Sequence, residues 1–460
     1  MALIYLFAFL VAVNQFRPLL GARGILPIPT FVRLVRFRQA PSVFHLHYSD
    51  RFFAGLAWTG VVIAGLAVTG IIDRAPTVVT MLAWTALWAM YLSIVNVGQT
   101  WYAFGWETLL LEAGFLAIFL GPDDSAPPTP ILLLIRWLLF RVEFGAGMIK
   151  IRGDPCWRDL TCLKYHHETQ PMPGPLSWWF HRLPLPLHRV EVAANHVAQL
   201  AVPFLLFTPQ PVAGIAAAVI IVTQLWLMVS GNFSWLNAVT IALALPALGD
   251  GILGRLLPVS PPDTLVDVPM WHDAIVIAVT VVVAVLSYRP VANLLSSNQV
   301  MNTAFDPLRL VNTYGAFGSI TRVRREIIVE GTADEAVTPL TEWREYEFKG
   351  KPGNPLRRPP QIAPYHLRLD WLMWFIPLSP GYGRSWFRPF MQRLLVNDHD
   401  TVKLLRHNPF PEAPPMYVRA RVFEYRFTTR DERRRTKAWW DRIPIGDYVP
   451  PMRLTPDSSR

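Results

Sequence analysis

The chain has 460 residues, more than one ordinary hydrophobic core holds, so at least two domains are expected. Hydrophobic residues make up 52% and charged residues only 17%, the balance of a membrane protein that carries a soluble part. The net charge of +10 rests on arginine, with six lysines among 43 basic residues, and zinc-finger spacing, an RNA-binding aromatic motif and a basic helix with heptads are all missing. The charge is therefore read as contact with lipid headgroups, with no nucleic acid as partner. An Arg-, Pro-, Ala- and Trp-rich, Lys-poor composition also suits a GC-rich, bacterial genome.

In chain order, residues 1–16 predict a short first span. The stretch from Ala2 to Val13 has no basic segment before it and no cleavage site before Arg17, so it is read as the remains of a membrane helix, with an upstream basic segment missing. A basic loop, 17–50, follows with Arg17, Arg23, Arg33, Arg36 and Arg38. Further spans are expected at 52–72, 77–97, 106–120, 130–151, 190–208, 211–230, 235–258 and 272–288, about nine in all. Glu107 is placed at the headgroup level. Glu112 lies deeper and needs a partner, an arginine of the next span.

The stretch Ile131–Glu168 is the most informative. It is apolar enough to enter a bilayer, yet Arg136, Glu143 and Lys150 recur at intervals of seven, on one stripe of a helix. Lipid does not tolerate such a stripe, so it should face other helices or a polar cavity. Two readings stay open: a functional site shared with the loop 152–188, or an internal ion-pair stripe that fixes packing. Lys150, at the membrane end of the helix, is either a desolvated base or a lysine reaching the headgroups. Phe144-Gly145-Ala146-Gly147 reads as small residues that allow close helix packing rather than a phosphate loop. The loop holds both cysteines, Cys156 and Cys162, which are either a disulfide or independent thiols. It also holds Trp157 and the neighbours His166 and His167. Vicinal histidines on a helix diverge by about 100°, and C-x5-C-x3-HH matches no common zinc framework, so no metal site is assigned.

Residues 1–290 are thus expected to form a polytopic helical membrane domain. From about 290 the apolar runs shorten. The segments ITRVRREIIVEG, EWREYEFKG, YHLRLDWLMWF and MYVRARVFEYRFTT read as strands, with a helix in FRPFMQRLLVNDHDTVKLL. Residues 300–430 are expected to be a small soluble β-rich domain, and 437–460 a basic, Pro-rich, poorly ordered tail. Nine spans put the basic loop, the cysteine loop and the carboxy-terminal part on one side. The positive-inside rule and the acidic loops PDDSAPPTP and DG…PPDTLVD place that side in the cytoplasm; a disulfide would place it outside.

Several long segments together resemble one family. FRVEFGAGMIKIRGDPCWRDLTCLKYHHETQPMPGPLSWWFHRLP, QTWYAFGWETLLLEAGFL, GNFSWLNAVTIALAL, WREYEFKGKPG, RRPPQIAPYHLRLDW and LLRHNPFPEAPPMYVRARVFEYRFT are similar to the lipase maturation factor family, in order and over most of the chain. The resemblance implies a multi-pass membrane protein that helps secreted lipases reach their active fold, with its carboxy-terminal part on the lumenal or exterior side. It implies the endoplasmic reticulum membrane for a eukaryotic member and the plasma membrane for a bacterial one, with membrane lipid and secreted clients such as lipases as partners.

A shorter segment, AGMIKIRGDPCW, resembles the AG-x-x-K segment of vitamin K-dependent γ-glutamyl carboxylases, with an insertion before Trp157. There, the lysine matching Lys150 deprotonates the reduced quinone. This gives a second reading, a membrane enzyme with Lys150 as base, His166 or His167 assisting, and a quinone- or lipid-like ligand. Arg136, Glu143, Glu112 and Trp157 are the binding candidates that accompany it. The third reading is a lipid-handling or transport protein. The sequence requires no cofactor.

Overall fold

The computed structural model describes residues 1–256, 265–379 and 381–454. Its first part is helical: α1 (Ala2–Leu20), α2 (Asp50–Val68), α3 (Thr77–Val97), α4 (Gly105–Ala117), α5 (Thr129–Arg152), α6 (Leu163–Thr169), α7 (Leu185–Leu200), α8 (Val212–Ser230), α9 (Leu236–Ala244) and α10 (Met270–Leu286). Its second part holds β1 (Arg324–Thr332), β2 (Arg344–Glu345), β3 (Glu347–Phe348), α11 (Arg368–Phe375), α12 (Phe387–Leu395), β4 (Leu405–His407), β5 (Tyr417–Phe427) and β6 (Trp440–Met452).

Among the described residues, six helices are long and apolar enough to cross a membrane: α1, α2, α3, α7 extended to Phe207, α8, and α10 extended to Leu295. The other three expected spans are helical but fail on length or polarity. The α4 helix has 13 residues, α9 has nine, and α5 has 24 but carries Arg136, Arg141, Glu143, Lys150 and Arg152. Nine spans are therefore not confirmed by length and composition. The end of the expected span 235–258 and part of the acidic loop PPDTLVD lie outside the described residues.

Burial separates inner from outer helices. The α1 helix is 61% buried and the Met270–Leu295 span only 22%. Ile277, Val281 and Val285 of α10, like Trp58, Val62 and Leu66 of α2, are exposed, a continuous apolar skin that suits lipid and not water. In α1, Tyr5 and Phe9 are fully buried, and the Tyr5 hydroxyl lies where a Cβ at Gly114 would stand, so α4 can pass this close only with glycine there.

The connections meet at two ends of the bundle. At one end the amide of Asp123 donates to the Asp73 carbonyl and that of Val266 to Asp124, both at 2.8 Å, while Gln210 reaches the Ala247 carbonyl. At the other end Ala22 donates to Asp50, Gln99 to Leu26, and Trp235 to the Trp106 carbonyl. Successive helices run from one end to the other.

The second part is a four-stranded antiparallel sheet in the order β2-β1-β5-β6, plus the small pair β3-β4. Along β5, Val418 and Ala420 are buried and Arg419 and Arg421 half-buried, the expected alternation. From Phe423 on, the opposite face is buried through Phe423, Tyr425 and Phe427, which pack with Trp178, Trp439 and Trp440. The adjacent apolar pair Val422-Phe423 marks the change of face, and the β5–β6 register shifts there.

Two expectations for this part are corrected. YHLRLDWLMWF is not a strand: Arg368–Phe375 is the helix α11, with Arg368 through Met373 all buried. Burial around the whole helix erases the period that distinguishes helix from strand. The basic tail is not loose either, because 440–452 forms β6, anchored by buried Trp440. Its prolines are tolerated since β6 is an edge strand. Residues 455–460 lie outside the described residues.

The sheet part is built into the helical part rather than hung beside it. Gln15 of α1 donates to the His366 carbonyl at 2.7 Å and accepts from the Arg368 amide at 3.1 Å. Asn232, just after α8, donates to the Pro360 carbonyl and accepts from Ile362 and Ala363.

Candidate functional site

The loop 152–188, the ends of α5, α7 and α8 and the start of the sheet part converge at one end of the bundle. Asp154 opens the loop by accepting the Cys156 amide at 3.0 Å, a helix cap for Pro155–Arg158. Arg322, ahead of β1, donates to the same carboxylate at 2.6 Å. Burial alone would raise the Asp154 carboxyl; Arg322 and the amides of Cys156 and Ile320 outweigh it and hold the group below the usual carboxylate range. Cys156 and Cys162 form a disulfide that closes this turn, with Cα atoms 4.8 Å apart. Both cysteines are buried with Trp157, Leu163, Val192 and Ile320.

Downstream the loop is clamped to β1. Arg324 is fully buried, and its guanidinium donates to the carbonyls of Glu168, Gln170 and Pro171 and to the Glu326 carboxylate. Lys351 is a second cation on the same carboxylate, 2.9 Å from Glu326. At the rim, Trp178, Trp179 and Trp439 cluster with Arg358 and Arg433, whose guanidinium carbon lies 3.6 Å over the Trp439 ring.

The polar stripe of α5 feeds a ladder of buried side chains. Lys150 donates to Asn195 Oδ1 at 2.9 Å and Gln199 Oε1 at 2.8 Å, and its ammonium stands 4.9 Å over the Trp157 ring. Gln199 then donates to Glu143 at 3.2 Å, Gln224 donates to Glu143 at 2.6 Å, and Asn237 donates to Gln224. Gln199 thus stands between the ammonium of Lys150 and the carboxylate of Glu143. Two amide oxygens and a π face thus take up the directions in which the Lys150 side chain donates. The close approach rests on glycine: a Cβ at Gly147 would stand 2.7 Å from Leu200, and one at Gly145 2.5 Å from the Tyr314 carbonyl. The small residues serve helix packing, as the sequence indicated. Arg136, one turn pair higher, is half-buried and donates to the Leu206 carbonyl at 3.1 Å, away from the ladder.

Two further nodes lie on α4. Glu112 meets Arg141 of the next long helix, the kind of partner expected of it, and also accepts from the Asn312 amide, Asn312 Nδ2 and the Tyr314 hydroxyl. Glu107 is not at a headgroup level. It is fully buried, 2.7 Å from Arg368 of α11, and accepts from Tyr91. Arg368 also donates to the Trp101 carbonyl at 2.6 Å and stacks 3.3 Å over the Tyr102 ring.

His166 and His167 point apart. His166 lies between Phe233 and Phe317. Burial, with added repulsion from His167 and Lys150, holds its imidazole well below the usual histidine range and therefore neutral. His167 turns toward α7, where its ring lies 5.7 Å from that of His188, and its Nε2 stands 3.9 Å from Glu191 Oε2.

The chain matches the family description "Lipase maturation factor transmembrane domain" over residues 1–255 and "Lipase maturation factor C-terminal domain" over 310–450. It is 41% identical to mouse lipase maturation factor 1, covering 99% of this chain and 86% of that protein, and 42% identical to the human one over the same shares. The chain belongs to the lipase maturation factor family. Lipase maturation factor 2 of Xenopus laevis is more distant, 28% identical over 98% of this chain and 81% of that protein. No solved structure matches the chain.

In this family member the structure gathers Lys150, Glu143, Trp157 and the disulfide around α5 and its loop. His166 and His167 lie on the following turn, while Arg136 and Glu112 stand apart. Sequence reading did not single out His188, Gln224, Asn237, Arg368 or the Arg324–Glu326–Lys351 triad. The expected span began at 190 and left His188 in the loop; only because α7 starts at Leu185 do His188 and Glu191, three apart, share one face.

Proposed function

We propose that this chain is a membrane-bound factor that brings secreted lipases to their active fold. The observation that carries this is near-full-length identity of 41–42% to relatives named lipase maturation factor 1. We infer nine passes, since successive helices alternate between the two ends even where α4, α5 and α9 are short or polar. The loop 152–188 and the sheet part then face the lumen or exterior, the endoplasmic reticulum lumen in a eukaryote and the cell exterior in a bacterium. A disulfide in the loop supports that side, because such bonds persist in oxidising compartments. We set it above the count of basic residues on the same side.

The unit offered to clients is the loop together with the sheet part, including the aromatic–guanidinium rim at Trp179, Trp439 and Arg433. Lipid is the other partner. The base reading for Lys150 has a short local resemblance behind it, but the lysine's acceptors favour a role in helix registry.

The test is co-expression with a secreted lipase in cells lacking their own maturation factor, read as lipolytic activity per mass of secreted lipase. The wild-type chain should raise that ratio, Arg368→Ala should remove the gain, and Lys150→Met should keep most of it if it folds. A membrane-inserted, folded wild-type chain that leaves the ratio unchanged overturns the proposal.

A further inference from the structure

Two buried imidazoles and a carboxylate oxygen stand together without hydrogen-bond partners where the loop meets α7. His167 and His188 are 1% and 2% exposed, and none of their four ring nitrogens has a hydrogen-bond partner. Glu191 Oε2 is buried and equally unpartnered. A neutral imidazole must carry one N–H donor and one acceptor nitrogen, and leaving either buried without a partner costs about 1–3 kcal/mol. The three residues do not satisfy one another, since the closest approach to the carboxylate is 3.9 Å. One ligand atom from each residue nonetheless lies within 4.8 Å of the other two.

We propose that His167, His188 and Glu191 bind a divalent transition-metal ion, zinc foremost, that ties α6 of the loop to the first turns of α7. Two imidazoles and a carboxylate are the donor set of zinc and its neighbours, not of magnesium or calcium. Zinc holds nitrogen and oxygen at about 2.0–2.2 Å, so three ligand atoms around it stand about 3.4 Å apart. The existing spread of up to 4.8 Å has to close by about 1.4 Å to reach that, and the four ring nitrogens have no hydrogen bond to give up. The carboxylate is already aimed: Trp226 Nε1 donates to Glu191 Oε1 at 2.7 Å, which fixes the group and leaves Oε2 for the metal. Phe180 stacks on His167 at 5.4 Å and packs against Trp226, which makes one side of the set apolar, while His181, with its Nδ1 also unpartnered, neighbours His167 and His188. The neighbouring set Asp154, Cys156 and Cys162 does not compete, because its sulfurs are bonded to each other.

The experiment uses the full-length chain in detergent, stripped with a chelator and dialysed against buffered zinc, with metal counted by mass spectrometry. About one zinc per chain should remain on the wild type and on His166→Asn, which replaces the imidazole outside the set. Affinity should fall tenfold or more in His188→Asn and in Glu191→Gln, the latter keeping the oxygen that Trp226 uses. Cobalt in place of zinc should give visible ligand-field bands in the wild type that Glu191→Gln removes, a readout that does not depend on the stability of either variant. No bound metal in the wild type overturns the proposal. So does one zinc per chain that persists unchanged in both ligand variants.

Discussion

Glu112 and Glu191 are both carboxylates on apolar helices, and their surroundings differ in a way that separates structure from binding. Glu112 is met by Arg141, two donors of Asn312 and the Tyr314 hydroxyl, drawn from two segments. Everything it can accept is supplied by the chain, so its role is to hold α4, α5 and the 310–314 segment together. Glu191 has one oxygen held by Trp226 and the other facing two imidazoles that lack any partner. The first arrangement is complete; the second is complete only with something added. Lys150 belongs with Glu112, since its ladder reaches from α5 through α7 and α8 to α9.

The comparison breaks most readily at Glu112. Arg141→Met or Glu112→Leu alone should cost about 3–5 kcal/mol, because each strands a buried charge. The pair of substitutions together should cost less than the sum of the two single changes. Thermal unfolding in detergent checks this, and additive costs would mean that the two residues do not act as a pair. Next comes the disulfide. Cys156→Ser should lower stability by about 2 kcal/mol, the scale for a loop with a sequence separation of six, and reductant should reproduce the loss in the wild type alone.

Asp154 should give a smaller, pH-dependent effect, about 1 kcal/mol or less given the exposure of Arg322. Its folded carboxyl sits below the ordinary value of 3.8. Its contribution is therefore present above that value and is lost as pH falls through the lower, folded pKa. Asp154→Asn should flatten that part of the stability profile below about pH 4, measured as unfolding midpoint against pH. Smallest of all, Glu191→Gln in chelated protein should change stability by less than about 0.5 kcal/mol, since the Trp226 contact survives. A large loss without metal would place Glu191 with Glu112 and remove the contrast.

Much of this could be read from the sequence because the signals are local. The 77–97 span, the glycines at 145 and 147 and the alternation at the start of β5 follow from composition and period alone. Glu107 was misplaced because its partner, Arg368, lies 261 positions away, and no local pattern announces such a pair. The segment that became α11 was misread for a related reason: a helix buried on all sides shows no polar face. The tail became β6 through Trp440 and an edge position that only the sheet supplies. At His167 the sequence reading weighed its neighbour His166, whereas folding gave it the face of His188 and Glu191 on another helix.

The account stands most directly on which side of the membrane the loop and the sheet part occupy. Ala336→Asn, in the exposed turn after β1, creates an Asn-x-Thr acceptor with Thr338. The native triplet Asn232-Phe233-Ser234 has its amide buried, so the unsubstituted chain serves as the blank. Translated into sealed endoplasmic reticulum microsomes, the substituted chain should gain one glycan and keep its sheet part intact against added protease. A chain that stays unglycosylated and loses the sheet part to protease would put the disulfide loop in the cytoplasm and contradict the account.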